Sequence, residues 1–86
     1  MDTKIDPTHT GAWNNLGNVR KQQKETDNAI YCYRNAFDSN PMYIPALFNL
    51  AKELTGQNQH DEAKKHFQKI LEIEPNHAGA LAAIGQ

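Results

Sequence analysis

At 86 residues the chain has room for one small domain, and 38% hydrophobic with 22% charged residues is a soluble globular composition with a modest core. A formal net charge of −1 gives no long-range attraction to nucleic acid or anionic lipid, no apolar run reaches membrane-spanning length, and residues 1–10 lack the apolar segment of a signal peptide. Cys32 is the only cysteine, which excludes an intrachain disulfide and fits a reducing compartment, so an intracellular, cytoplasmic location is expected.

Residues 1–9 contain Ile5-Asp6-Pro7, which returns as Ile73-Glu74-Pro75, and read as the tail of a preceding unit. A first helix is predicted over residues 10–23, with Ala12, Trp13, Leu16, Gly17 and Arg20 on one face at i, i+3, i+4 spacing and Thr10 as N-cap. A second follows over residues 27–39, with Ala29, Ile30, Tyr33, Ala36 and Phe37 on its buried face and Thr26 or Asp27 capping it. Asn40-Pro41 stops it, because proline disfavours the helical conformation in the residue before it and has no amide proton. Gly17 and Ala29 are small where two antiparallel helices cross; Gly17 costs about 1 kcal/mol of helix propensity relative to alanine, so a packing reason is required.

The third helix, residues 44–57, carries Ala46, Leu47, Leu50, Ala51 and Leu54, with Pro45 harmless in its first turn and Gly56 and Asn58 suited to the turn after it. The fourth, residues 61–74, carries Ala63, Phe67, Ile70 and Leu71. A last short helix, Ala78 to Gly85, has no charged residue; its apolar face should meet Phe67, Ile70 and Leu71 and leave Leu81 or Ile84 partly exposed.

The period behind these elements is 34 residues. Ala12 falls on Ala46, Asn15 on Asn49, Leu16 on Leu50, Asp27 on Asp61, Ala29 on Ala63 and Pro41 on Pro75, with Tyr33 opposite Phe67. So regular an offset marks a stacked array of helical hairpins. Trp13, Leu16, Gly17, Ala29, Tyr33, Ala36 and Pro41 resemble the tetratricopeptide repeat pattern W-x2-L-G-x2-Y…A-x3-F…P, with Arg20 in place of its tyrosine and Ile70 where the first repeat has Ala36. The resemblance implies an all-α superhelix: a preceding tail at residues 1–9, repeats at 10–41 and 42–75, and the start of a third at 76–86 acting as a terminal helix, the whole a fragment of a longer array.

No catalytic, cofactor or metal site is expected. His9, His60, His66 and His77 are scattered without the spacing of a zinc motif, and there is no phosphate loop or nucleophile elbow. Asp61-Glu62 and Lys64-Lys65 read as a solvated face with weak ion pairs. What remains is the concave side of the stack, which in tetratricopeptide arrays holds peptides or helices of partner proteins. The residues that map to it are Asn14, Asn15, Asn18, Lys21 and Gln22, then Phe48, Asn49 and Lys52. A two-carboxylate clamp, one known mode of the family, is disfavoured, because Asn14, Gly79 and Ala83 stand where its basic residues would be.

The expected role is a protein-binding scaffold module, not an enzyme, with a structural spacer or self-association segment as the alternative. A homo-oligomer through the repeat ends follows from having only two repeats and a stub without the polar end helices of such arrays. A nucleic-acid partner is not expected: Arg20, Lys21 and Lys24 cluster, but Leu54, Thr55 and Asn58 at the equivalent positions are uncharged.

Overall fold

The computed structural model describes residues 7–85, with the side chains of residues 9–85. Helix α1 runs over Pro7–Gln22, α2 over Thr26–Ser39, α3 over Ile44–Gly56, α4 over His60–Ile73 and α5 over Ala78–Ile84. Each packs on the next in chain order, giving the all-α stack of hairpins that the 34-residue period implies. Of the tail expected at residues 1–9, residues 1–6 lie outside the described residues and Pro7 already opens α1.

The turns repeat with the same period as the helices. Lys24 and Asn58, 34 apart, are the two non-glycine residues with positive φ among the described residues, 65° and 64°. At each, the next amide reaches back five residues, Glu25 N to Arg20 O and Gln59 N to Leu54 O, both at 2.9 Å, so orphan carbonyls at the end of the first helix are satisfied. Asparagine tolerates the left-handed region well; lysine does not, and the hydrogen bonds around Lys24 hold it there. The second helices close alike: Asn40 N bonds Ala36 O, Glu74 N bonds Ile70 O, and a proline follows each.

Two of the expected caps are not used. Because α1 starts at Pro7, Thr10 lies inside the helix, buried, and its hydroxyl pairs at 2.7 Å with that of Ser39 at the end of α2. Glu25 holds the N-cap position of α2 without a side-chain cap, and Asp27 sits in the first turn, where its charge complements the helix dipole.

The core is built from Ala29, Tyr33, Leu47, Leu50, Ala51, Leu54, Ala63, Phe67 and Ile70. Gly17 lies on Tyr33: a Cβ there would stand 2.5 Å from Tyr33 Cε1, so this crossing admits only hydrogen. The first helix departs from the expected buried face. Ala46 and Leu50 are fully buried by the hairpin before them, whereas Ala12 is exposed, Leu16 is 38% exposed and Trp13 only half-buried, edge-on to the exposed Tyr31. The helical period is right, but burial of this stripe needs a preceding hairpin, and none lies against it among the described residues.

On the opposite side from α1, Arg34 of α2 forks onto Glu62 of α4 at 2.7 and 3.3 Å, tying the two repeats together. The pair is solvent-exposed, as expected of a solvated face with ion pairs, but Glu62's partner comes from the preceding repeat and not from the neighbouring lysines. The hydrogen bond from Arg34 holds the Glu62 carboxyl below its ordinary range. His66 packs edge-on to Phe37 beneath this pair, its buried Nε2 3.6 Å from Glu62 Oε2 and without a hydrogen bond, and burial pushes its pKa down against the opposing pull of that carboxylate.

Two outcomes test this packing. Gly17→Ala should lower unfolding stability by about 1 kcal/mol or more in urea titration, because overpacking against the immobile Tyr33 exceeds the roughly 1 kcal/mol that alanine gains in helix propensity. Ala63→Leu at the equivalent crossing of Ala29 should cost about 1–3 kcal/mol. An unchanged melt for either variant would show that its position is not a crossing. A third concerns pH. A histidine whose folded pKa is depressed binds fewer protons folded than unfolded, so its stabilising effect is complete above the ordinary histidine pKa and fades as pH falls through it. Between about pH 7.5 and about pH 5.5 the melting temperature should fall, and His66→Leu should flatten that slope; equal slopes would place the dependence elsewhere.

Candidate functional site

The first helices of the hairpins, α1 and α3, stand side by side with α5 next in line, and the residues expected to face a partner lie along them. Three asparagines meet where α1 and α3 approach. Asn49 Nδ2 donates to Asn14 Oδ1 at 3.0 Å and to Asn18 Oδ1 at 3.4 Å, while the Tyr33 hydroxyl donates to Asn18 Oδ1 at 2.6 Å. Asn14 is buried and Asn18 and Asn49 are half-buried. The cluster thus binds α3 to α1 and α2 through inward-facing groups. Asn49 Oδ1 and the amide nitrogens of Asn14 and Asn18 take no part in these bonds.

Asn15 does not share this role with Asn49. It is exposed and outside the network, because Asn49 reaches back to positions 14 and 18 of the preceding repeat and Asn15 has no such repeat before it among the described residues. Lys21 is exposed and pairs with Glu53 Oε2 of α3 at 3.6 Å, and Gln22 is exposed beside it. Such a surface ion pair contributes at most about 1 kcal/mol.

The other half of the surface is aromatic. Phe48 is half-buried, edge-on to Phe67 with centroids 5.9 Å apart and tilted against His77 at 5.2 Å. Lys52 Nζ lies 5.2 Å from the Phe48 centroid, within cation–π range. Gly79 lets the ring in: a Cβ there would be 2.7 Å from Phe48. His77 Nδ1 accepts from Ala80 N and caps α5, a structural role. Sequence reasoning placed Phe48 and Lys52 on this surface and expected a structural or solvent-exposed role for His77 from its match with His9, but missed Tyr33, Glu53 and Gly79 as supports. The signal was present for Gly79, since Gly11 recurs 68 residues on beside the same histidine pair.

The surface offers amide donors and acceptors, one aromatic face and two ammonium groups. Among the described residues no three histidine, cysteine or carboxylate side chains converge as metal ligands would, and no helix is long and apolar enough to cross a membrane. The thiol of Cys32 is buried, which raises its pKa.

The tetratricopeptide repeat family model matches residues 11–43 and 44–77. The chain is 32% identical over 82 residues to the general transcriptional corepressor trfA of Dictyostelium discoideum. It is 29% identical over 73 residues to the general transcriptional corepressor ssn6 of Schizosaccharomyces pombe, and 27% over 82 residues to anaphase-promoting complex subunit 3 of the same species. These alignments take in 95%, 85% and 95% of this chain but 6%, 7% and 12% of the relatives, so the chain spans a small part of the length of the curated relatives it matches.

The unequal bonding of the two asparagines has a measurable consequence. Asn49→Ala leaves the buried Asn14 Oδ1 without its donor, while Asn18 Oδ1 keeps the Tyr33 hydroxyl, and should reduce unfolding stability by about 1–2 kcal/mol, whereas Asn15→Ala should stay within about 0.5 kcal/mol of the wild type. Equal losses in parallel urea titrations would contradict the network.

Proposed function

The chain belongs to the tetratricopeptide repeat family, and from that premise we propose that it is a protein–protein interaction module that seats an extended peptide or partner segment along α1, α3 and α5 as part of a scaffold. Repeats of this family mediate protein–protein interaction in general and are not generally catalytic. The observation that carries the reading is the juxtaposition, on one surface, of asparagine amides and a half-buried phenylalanine beneath a lysine. Amides serve peptide backbone of any sequence, having both donor and acceptor. Phe48 adds a preference for an apolar side chain, and Lys21 and Lys52 a preference for acidic neighbours.

The relatives' names, two corepressors and a complex subunit, support a scaffold role and widen the expected location from the cytoplasm to the nucleus. A spacer that binds nothing is the competing reading. Each backbone hydrogen bond contributes about 0.5–1.5 kcal/mol net, so two repeats bind weakly and a longer array more tightly through repetition.

A displayed library of random peptides, panned against the 86-residue chain, separates the two readings. Enriched peptides should shift the side-chain amide resonances of Asn15, Asn18 and Asn49, and Asn15→Ala combined with Lys52→Ala should weaken their binding by roughly tenfold with an unchanged melting temperature. A library that enriches nothing, or peptides whose affinity ignores both substitutions, favours the spacer.

A further inference from the structure

Resting on the reading of this surface as a peptide groove, we propose that its α3 segment selects the partner by a single acidic side chain: Lys52 takes the carboxylate while an apolar side chain of the same peptide lies on Phe48. The two repeats differ most at this point. In the first, the polar contacts of Asn18 are supplied from within, since its carbonyl accepts from the Tyr33 hydroxyl at 2.6 Å and from the Asn49 amide at 3.4 Å. Asn14, one turn earlier, shares that amide at 3.0 Å. Thirty-four residues on, Lys52 stands for Asn18, and its surroundings lose every one of those groups: Phe67 replaces Tyr33, Ala83 replaces Asn49 and Phe48 replaces Asn14.

The exchange leaves an ammonium in an apolar frame. Lys52 is exposed, and no carboxylate among the described residues lies within ion-pair distance of it. The depression that it shares with Phe67 and Ala83 also takes in His60 and Lys64, and no carboxylate among the described residues lines it. Lys21, the other ammonium of the surface, is already paired with Glu53 at 3.6 Å. An acidic side chain arriving at Lys21 meets a neutralised pair, whereas at Lys52 it meets an uncompensated cation, so the two lysines are not equal readers of charge.

Phe48 prepares the site. With its centroid 5.2 Å from Nζ, the ring holds the ammonium in place, which lowers the side-chain entropy lost when an ion pair forms. The ring is itself fixed by Phe67 of α4 and by His77 and Gly79 beside α5, so three helices set where the charge stands. In an extended peptide, side chains two residues apart point to the same face and stand about 7 Å from each other, a spacing that spans the ammonium and the ring. The peptide therefore carries an acidic residue and an apolar residue separated by one position, in either direction.

A displayed library of random peptides, panned against the 86-residue chain and against its Lys52→Met and Lys21→Met variants, tests this. The wild type and Lys21→Met should enrich peptides with an acidic residue two positions from an apolar one; Lys52→Met should keep the apolar residue and lose the acidic one. For one enriched peptide, synthesised with an amidated C-terminus, changing the acidic residue to its amide should weaken binding to the wild type roughly fivefold at about 50 mM salt and leave binding to Lys52→Met unchanged. Lys52→Glu should reverse the preference, binding best the peptide with lysine in place of the acid. A selection that yields no peptide from the wild type overturns the groove reading and this inference with it. Enriched peptides without the acidic position, or an acid preference that survives Lys52→Met or disappears in Lys21→Met, overturn this inference alone and leave the groove reading standing.

Discussion

Tyr33 is the residue on which the rest depends. Its ring fills the space that a glycine at position 17 leaves between α1 and α2, and its hydroxyl, at the far end of the same side chain, fixes Asn18 at 2.6 Å. Asn18 in turn receives Asn49 from the next helix pair. One buried side chain thus sets both the closeness of the first hairpin and the position of the amides on the outer surface. Burial pushes its phenol to a pKa of about 12, so the hydroxyl remains a donor at every pH the protein meets.

The second repeat solves the same packing problem with different chemistry, and this makes the surface uneven. Phe67 stands where Tyr33 does and has no hydroxyl; Lys52 stands where Asn18 does and lies over Phe48 instead of joining a hydrogen-bond network. The amide half is held by directional bonds between three helices. The aromatic half is held by ring contacts and a glycine, Gly79, on a seven-residue helix with a single buried side chain. Local stability follows buried contact, so the stack weakens from Asn49 toward α5.

Much of the fold was legible because it is encoded in local chemistry repeated at a fixed interval. The prolines at 41 and 75 end helices whatever surrounds them, Asn58 suits the left-handed turn residue, and alanines at 29 and 63 fall at crossings. What was not legible depends on neighbours. Leu16 has the same place in the period as Leu50, yet one is open and the other fully buried, since periodicity gives the face of a helix and not what lies against it. The Arg34–Glu62 fork spans 28 residues and two helices, and no single-helix pattern contains it. Likewise Asn15 and Asn49 are equivalent in sequence and unlike in bonding. For the candidate surface, sequence placed Phe48 and Lys52 side by side on one helix, but not the burial of Asn14 between helices; of the supports only His77 and Gly79 could be read, by comparing residues 9–11 with 77–79, because Tyr33 and Glu53 act across helices.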